Sequence, residues 1–445
     1  MPRRTKWFVP VVVVTTLCTT AVATAVLAAQ TASTAEATAR LGIRTDKPAA
    51  VYAQGETATF LIKLSPAQQA VPPPGATLEA DCELSTDAFR HSEKSRITLT
   101  DGKAPVTAAR DFPCILWIRV TYREGEGKSV QALAGAAFSP EEIAPSMPAP
   151  PDFDAFWAAQ KAPLDNIPLN PQIEPMASKD PNVELFSVTM DGINQTKIYG
   201  YLARPKGEGP FPGYFQPQWA GVHSLEPAWV TSRAQQGFLS LNINAHPIEN
   251  GRPVEYYNAL REGALKDYPY QGRDNRDTCY FLGMYLSCYR AAEYLASRPD
   301  WDRKHLVVSG DSQGGGQAIV TAALDPHVTA VVAGEPALCD HTAMVADRAP
   351  GWPALVLMKD GKPDPVQLEV ARYFDVVNFA RQVKVSAIVG VGFADMTCPA
   401  SSVYAAYNVL AGPKRMVIDP LAGHVGQKPN WSKESWSFFL AHGKD

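Results

Sequence analysis

One stretch of this 445-residue sequence decides the fold: Leu306-Val307-Val308-Ser309-Gly310-Asp311-Ser312-Gln313-Gly314-Gly315-Gly316-Gln317. An apolar run of β-forming residues leads into the pattern Gly-x-Ser-x-Gly, centred on Ser312, and a helical segment follows. A strand, a sharp turn and a helix are the context of a nucleophile elbow, whose glycines let the backbone turn tightly. The pattern alone is weak, because chance produces it in roughly one chain in ten of this size. Its position between strand and helix favours the elbow over a glycine-rich helix start.

Strands and helices alternate on both sides of this motif. The predicted strands are residues 183–190, 197–203, 213–216, 238–242, 306–309, 328–332, 387–391 and 415–418. The predicted helices are residues 278–297, 317–324, 366–377 and 401–410. Such alternation predicts a mostly parallel sheet covered by helices on both faces. Together with the elbow, it predicts an α/β-hydrolase fold.

A serine hydroxyl is a poor nucleophile unless a base takes its proton. In the α/β-hydrolase fold the order along the chain is serine, acid and histidine, and the last two follow later strands. Asp395 follows the apolar run 387–391, and His424 lies in the turn after Met416-Val417-Ile418. We therefore predict Ser312 as nucleophile, Asp395 as acid and His424 as base.

The other histidines fit the base less well. His327 and His341 follow the serine but precede the predicted acid. The remaining ones lie before the serine or at the C-terminal tail: His91, His223, His246, His305 and His442. The order of the chain therefore selects His424.

The oxyanion of a tetrahedral intermediate needs two hydrogen-bond donors. The backbone N–H of Gln313, directly after the nucleophile, is the first. The second is expected from the loop after an earlier strand, where Gln218-Trp219-Ala220-Gly221 lies. This chemistry requires neither a metal nor an organic cofactor, and no CxxC pair or Cys/His cluster indicates a zinc site.

Composition excludes one class of partner. Hydrophobic residues make up 46% and charged residues 19% of the chain, which is typical of a globular protein, and the net charge is −4. Since no basic block occurs beyond the N-terminus, a nucleic-acid partner is not expected.

The N-terminus resembles an export signal. Arg3, Arg4 and Lys6 precede an apolar stretch, and Val26-Leu27-Ala28 fits the small-x-small cleavage preference. Residues 1–29 are therefore predicted to be a signal peptide, which places the protein outside the cell or in the periplasm. The alternative is an uncleaved membrane anchor, because the stretch is long enough to span a bilayer. After cleavage, no stable membrane insertion is expected.

The rest of the chain divides at a proline-rich segment. Residues 41–139 contain several short strand-like runs and predict a β-sandwich-like domain. Residues 140–151 predict a stiff linker, and residues 152–445 the catalytic domain. The N-terminal domain has no polar constellation that demands chemistry. It is therefore interpreted as a packing module, with carbohydrate or partner binding as the alternative, and as dispensable for turnover of small esters.

Export also permits disulfides. Cys82 and Cys114 both fall in the predicted sandwich, and we expect them to form one.

From Pro151 to its end the chain resembles the acetyl xylan esterase and cephalosporin-C deacetylase family. The similar segments are Pro151-Asp152-Phe153-Asp154-Ala155-Phe156-Trp157, Gly310-Asp311-Ser312-Gln313-Gly314-Gly315-Gly316, Asp395-Met396-Thr397-Cys398-Pro399, Tyr404-Ala405-Ala406-Tyr407-Asn408 and Ala411-Gly412-Pro413-Lys414 before His424. The resemblance implies the triad roles given above and the backbone N–H of Trp219 as second oxyanion donor. It also makes a homo-oligomer possible, since family members often form hexamers.

Two departures from the family stand close to the predicted site. Ala245-His246-Pro247-Ile248 occupies the place of the family's Arg-Gly-Gln, and Val425 follows the histidine where the family usually has glutamate. We expect His246 to brace neighbouring loops; the alternative is that it contacts substrate.

These observations predict an esterase that hydrolyses short-chain, chiefly acetyl, esters on plant polysaccharide or oligosaccharides. A peptidase or acyltransferase on the same scaffold is the first alternative, and an acceptor that outcompetes water would reveal the latter. A secreted carbohydrate-binding protein with an inactive hydrolase domain is the second. The intact triad argues against it.

Overall fold

The computed structural model describes residues 40–65, 74–86, 91–124 and 127–444. The predicted signal peptide, residues 1–29, lies outside these ranges. Within the described ranges, no helix combines the length and the apolar character needed to cross a membrane.

The N-terminal part consists of eight strands joined into one sheet. They are β1 (Arg40–Thr45), β2 (Val51–Tyr52), β3 (Thr57–Ser65), β4 (Thr77–Thr86), β5 (His91–Thr100), β6 (Lys103–Ala109), β7 (Cys114–Glu124) and β8 (Lys128–Phe138). Their order in the sheet is β1-β3-β6-β5-β4-β7-β8-β2. Neighbours are antiparallel except for β2 and β8.

This sheet folds over into two layers. The ladder between β5 and β6 is the single pair Thr100 and Lys103, so these strands separate directly after their hairpin. Side chains from β1, β3 and β6 then face those from β5, β4, β7 and β8 across one apolar core. That core includes Phe60, Ile62, Leu99, Leu116, Ile118 and Phe138. The predicted sandwich-like architecture is confirmed.

The second part contains the remaining strands. They are β9 (Gln172–Met176), β10 (Val183–Asp191), β11 (Lys197–Pro205), β12 (Phe211–Pro217), β13 (Leu239–Ile243), β14 (Trp301–Asp311), β15 (Ala330–Gly334), β16 (Met358–Lys359), β17 (Lys362–Pro363), β18 (Ser386–Gly392) and β19 (Lys414–Asp419). All but the β16–β17 hairpin form one nine-stranded sheet, in the order β19-β18-β15-β14-β12-β13-β11-β10-β9. The run from β13 to β19 is parallel, and the β9 to β11 edge is antiparallel. The predicted α/β-hydrolase sheet is thus confirmed.

Helices cover both faces of this sheet. The α-helices are α1 (Phe153–Lys161), α2 (Pro227–Ala234), α3 (Val254–Glu262), α4 (Tyr280–Ser297), α5 (Gln313–Leu324), α6 (Pro365–Phe374), α7 (Val376–Ala380), α8 (Ala400–Val409) and α9 (Pro429–Gly443). Short 3-10 turns occur at Pro140–Glu142, Ala162–Asn166, Ile193–Gln195, Tyr268–Tyr270 and Ala343–Ala346. Because side chains alternate along a strand, Val307 packs towards α9 while Val308 packs towards α4 and α5.

One predicted helix, residues 366–377, is interrupted in the structure. Asp375 has an extended backbone and caps the next helix, because its side chain accepts a hydrogen bond from Val377 N–H. Its carboxylate also accepts the backbone N–H groups of Asp340 and His341. The apolar periodicity continues through Asp375, so the break was not evident from the pattern.

Strand β7 joins the two parts of the molecule. Leu116 and Ile118 face the sandwich core, whereas Ile115 and Trp117 belong to the core of the hydrolase part. Trp117 is fully buried. The apolar run from 114 to 120 therefore reflects a strand that is covered on both faces, and the sandwich is packed directly onto the hydrolase.

The proline-rich segment 140–151 is held against the hydrolase part. Asn408 of α8 donates hydrogen bonds of 2.9 Å to the carbonyl oxygens of both Pro140 and Ile143. Further along, the Ser146 hydroxyl and N–H both contact the Asp340 carboxylate. The segment is therefore fastened to α8 and Asp340 rather than standing free as a spacer.

The expected disulfide between Cys82 and Cys114 is wrong, because neither cysteine forms a disulfide. Cys82 in β4 lies opposite Val120 of β7, and Cys114 lies six residues before Val120. At the rise of an extended strand this separates the two cysteines by about 20 Å along β7, far beyond the reach of a disulfide. Sequence proximity within one domain did not reveal the strand register.

Candidate active site

Ser312 lies at the tight turn between β14 and α5. Its backbone has φ 55° and ψ −124°, a conformation that is strained for a residue with a side chain and typical of a nucleophile elbow. Gly310 and Gly314 make this turn possible: a Cβ atom on Gly310 would lie 2.4 Å from the carbonyl carbon and oxygen of Gly314. The glycine pattern of the sequence is thus explained by the close contact of the two backbones.

The three predicted catalytic side chains form one hydrogen-bonded chain. His424 Nε2 lies 3.0 Å from Ser312 Oγ. The other ring nitrogen, Nδ1, lies 2.8 Å from Asp395 Oδ2. Since the carboxylate accepts, Nδ1 carries the proton and Nε2 is free to accept the serine proton.

Asp395 is fixed from the opposite side. It is fully buried after β18, and its Oδ1 accepts the backbone N–H groups of Thr397 and Cys398, each at 2.8 Å. Both carboxylate oxygens are therefore engaged, one by the loop and one by His424. This arrangement holds the imidazole in a single orientation.

The surroundings of His424 favour its protonated form. Burial alone lowers the pKa of the imidazole, but the hydrogen bond and the charge of Asp395 act in the other direction. Glu335 raises this pKa further, while Lys428 lowers it. The net effect is a pKa above the ordinary value of 6.5.

The two predicted oxyanion donors are the backbone N–H groups of Gln313 and Trp219. Gln313 is the first residue of α5, where the N–H has no acceptor within its own helix. Neither this N–H nor that of Trp219 donates to another group in the described part of the chain. N–H groups without an acceptor of their own suit a developing oxyanion.

Side chains of α5 hold the loop that carries Trp219. The amide of Gln317 donates to the Gln218 carbonyl oxygen at 2.9 Å, and the amide of Gln313 lies 3.4 Å from the same oxygen. A Cβ atom on Gly314 would lie 2.6 Å from the Pro217 carbonyl oxygen, so the loop passes directly over the first turn of α5. These contacts bring the Trp219 loop to the elbow.

His246 braces the same loop from behind. It is buried, with Nε2 3.1 Å from the Gly221 carbonyl oxygen and Nδ1 2.7 Å from the Tyr280 hydroxyl. Burial lowers the pKa of His246 to about 4, so the ring is neutral. Nε2–H therefore donates to Gly221, and Nδ1 accepts from Tyr280. The expected bracing role agrees with these contacts.

A cluster of possible metal ligands coincides with the triad. Among the described residues, Asp395, Cys398 and His424 each offer a ligand atom, all within 4.8 Å of one another. The carboxylate already accepts hydrogen bonds from His424 and two backbone N–H groups. Burial raises the pKa of the Cys398 thiol well above its usual value, which keeps it protonated. The cluster is therefore arranged for hydrogen bonding.

Two charged residues beside the triad were not identified from the sequence. Glu335 follows β15 and Lys428 lies four residues after His424; their side chains form an ion pair. Lys428 also donates to the carbonyl oxygen of His424 at 2.9 Å. Ninety-three positions separate the partners, so no local pattern indicates the pair.

Comparison with known proteins gives a consistent picture. Residues 141–442 match the family described as acetyl xylan esterase (AXE1). The chain is 32% identical over 370 residues to the acetyl esterase Axe7A of Xylanibacter ruminicola, covering 81% of this chain and 82% of that protein.

Solved structures extend the comparison to the fold. An acetyl xylan esterase from Paenibacillus sp. R4 has a TM-score of 0.59 and 26% identity, covering 68% of this chain and 98% of that one. Acetyl xylan esterase 1 from Thermoanaerobacterium sp. JW/SL YS485 has a TM-score of 0.60 and 23% identity, with the same coverage. At that identity, the second likeness concerns the fold alone.

Proposed function

The chain belongs to the acetyl xylan esterase family and is a carboxylic ester hydrolase, and we propose that it deacetylates plant polysaccharide or oligosaccharides through Ser312, His424 and Asp395. The observation that carries the proposal is the hydrogen-bonded chain from Ser312 Oγ through His424 to Asp395. The same chain argues against an inactive carbohydrate-binding protein, which would have no need of it.

In the proposed reaction, Ser312 Oγ attacks the ester carbonyl carbon while His424 Nε2 takes the serine proton. Asp395 keeps the imidazole in the required tautomer and stabilises its cation. The ester oxygen of the sugar then takes the proton from His424 and leaves as a hydroxyl group, and the acetyl group remains on Ser312. Water, activated by the same base, releases acetate and restores the serine.

The negative charge that develops on the carbonyl oxygen is stabilised by hydrogen bonds from the backbone N–H groups of Gln313 and Trp219. Both are backbone donors, so the indole at position 219 does not alter the donor itself. Donors of this kind typically contribute a factor of about 10²–10³ each to kcat.

Export is part of the proposal. It is supported by the basic start and apolar stretch of residues 1–29. N-terminal sequencing of the protein recovered from the culture medium or periplasm tests it, and a mature chain that retains residues 1–29 would contradict it.

The enzymatic proposal is tested with the wild-type protein and Ser312→Ala. Acetate release is measured on acetylated xylan, on acetylated xylo-oligosaccharides and on an aryl acetate. The wild type should release acetate from the carbohydrates, and the variant should lose several orders of magnitude in kcat on every substrate while keeping its circular dichroism spectrum.

Three outcomes would contradict parts of the proposal. More than about a tenth of the rate in a folded Ser312→Ala protein would remove Ser312 as nucleophile. Activity on the aryl acetate without any on the carbohydrates would remove the substrate class. Transfer of the acetyl group to an added alcohol or amine in preference to water would identify an acyltransferase.

A further inference from the structure

Glu335 occupies an unusual position beside the elbow. It directly follows β15, its N–H donates to the Gly390 carbonyl oxygen of β18, and only 6% of its surface is exposed. Its backbone has φ 27°, in the left-handed region that residues with side chains rarely adopt. The preceding residue, Gly334, accepts the N–H of Ser312 at 2.9 Å. Glu335 is thus one residue from a direct backbone contact with the predicted nucleophile.

Only one oxygen of its carboxylate has a hydrogen-bond partner among the described residues. Oε1 contacts Lys428 Nζ, whereas Oε2 is buried without a hydrogen-bond partner in the part of the chain that the structure describes. Burying a carboxylate costs free energy unless it is paired. A strained backbone and a buried carboxylate with one oxygen left without a hydrogen bond are expected where function requires them.

Lys428 links Glu335 to His424, the proposed base. Its side chain is 12% exposed, and Nζ bridges Glu335 Oε1 and the carbonyl oxygen of His424. The turn with His424 has few other apolar anchors, since Leu421 and Val425 are largely exposed. The bridge therefore ties this turn to the end of β15, beside Ser312.

We propose that Glu335 and Lys428 are a positioning pair, which holds the His424 turn against the nucleophile elbow, and that the Glu335 carboxylate stabilises the cation that His424 becomes during the reaction. Neither residue touches the reacting atoms: both act through His424. The inference rests on the proposed function, because it assumes that His424 is the base.

Charge supports the assignment. The groups that act electrostatically on Glu335 are Asp311, Lys428 and His424, and Asp311 in turn feels Arg233. Burial and the neighbouring Asp311 raise the pKa of Glu335 to about 7, against the opposing effect of Lys428. Lys428 thus favours a charged carboxylate close to His424.

Three variants distinguish the electrostatic effect of Glu335 on His424 from the hydrogen-bonded link that Lys428 makes to the His424 turn. Glu335→Gln keeps an oxygen for Lys428 but removes the negative charge. Lys428→Met removes the link to the His424 carbonyl oxygen. The double variant Glu335→Gln/Lys428→Met removes both without leaving a buried unpaired ion, a replacement that is often neutral for stability.

Each variant has its own expected result. Glu335→Gln should shift the acid limb of kcat/KM to lower pH, because His424 loses a charge that favours its protonated form. Lys428→Met and the double variant should lower kcat on an aryl acetate by about tenfold to a hundredfold at little change in KM, since a small displacement of a catalytic group is costly. The two single effects should not add, because the residues act as one unit.

A matched control is the ion pair of Arg290 and Glu293 on α4, whose buried arginine donates to the carbonyl oxygens of Leu164 and Ile167. Arg290→Met/Glu293→Gln should leave kcat and the pH profile unchanged, whatever its effect on the melting temperature. Wild-type kcat and an unshifted acid limb in all three test variants would overturn the inference. If Ser312→Ala were inactive at the same time, the proposed function would stand and only the positioning pair would fall.

Discussion

Gly135 in β8 lies directly against Phe393, and Phe393 precedes Asp395 by two residues. A Cβ atom at position 135 would come within 2.5 Å of the Phe393 carbonyl oxygen and 2.6 Å of its Cβ atom. The sandwich therefore touches the loop that carries Asp395, the predicted acid, and a glycine is required at the point of contact.

The first prediction concerns this contact. Gly135→Ala should lower both the melting temperature and kcat, because the added methyl group forces Phe393, and with it Asp395, to move. Overpacking of this kind costs about 1–3 kcal/mol. Thermal unfolding and aryl acetate kinetics measure the two effects.

Gly42→Ala is the control for that variant. Gly42 lies in β1 of the same sheet, where a Cβ atom would have no neighbour closer than 4.0 Å. It should retain wild-type kcat. Equal behaviour of the two variants would show that the Phe393 contact does not reach the site.

The second prediction concerns the whole sandwich. The sequence indicated that residues 30–139 are dispensable for small esters, but Ile115, Trp117 and Ala137 are buried in the hydrolase core. A chain that begins at residue 140 should therefore aggregate or unfold at lower temperature and lose most of its activity on an aryl acetate. A monomeric, folded fragment with wild-type kcat would restore the original expectation.

The third prediction is a pH dependence. His424 must be neutral to accept the serine proton. Burial lowers the pKa of its imidazole, but the hydrogen bond and the charge of Asp395 act in the other direction, and the resulting pKa lies above 6.5. Activity should be low where the imidazole is protonated and rise through a midpoint above pH 6.5. The measurement is kcat/KM on a non-ionising ester from pH 5 to 9.

Asp395→Asn provides the comparison for the pH profile. Without the carboxylate the imidazole loses the charge that favours protonation, so any residual activity should have its acid limb at lower pH. The rate itself should fall by about 10⁴, as expected when the tautomer is no longer held. A flat wild-type profile would count against a histidine base.

The fourth prediction addresses His246. His246→Ala removes the donor to Gly221 and the acceptor for Tyr280, and leaves both part-buried partners without this hydrogen bond. It should lower stability by roughly 1–3 kcal/mol and reduce kcat, because the Trp219 loop loses its support. KM should change little, since only 2% of His246 is exposed.

Tyr280→Phe tests the same contact more gently. It removes one of the two hydrogen bonds of His246 and leaves the link to Gly221 in place. Its effect on kcat should be smaller than that of His246→Ala. A raised KM at unchanged melting temperature in His246→Ala would instead identify a substrate contact.

The sequence was most informative where chemistry follows a strand. Ser312, Asp395 and His424 each come within a few residues of the end of an apolar run, and parallel strands deliver their carboxyl ends to one edge. Local order along the chain was therefore enough to bring the three side chains together. The same reasoning predicted the parallel strands around them.

Relationships across the fold were not accessible in the same way. The disulfide failed because the register of β4 and β7 places Cys82 opposite Val120 rather than Cys114. The Glu335–Lys428 pair joins two loops far apart in sequence. Trp117 falls within the predicted sandwich-like domain, but the alternation of side chains along a strand does not show what covers the second face of that strand.

The cysteines have a consequence for how the protein can be made. Six cysteines of the described chain are buried and form no disulfide, and burial raises the pKa of Cys279 and Cys288 to about 12. Neither the reactive thiolate nor access for an oxidant is available at these sites. Folding therefore does not depend on an oxidising compartment: without residues 1–29, the enzyme should mature in a reducing cytoplasm and tolerate thiol reagents during purification.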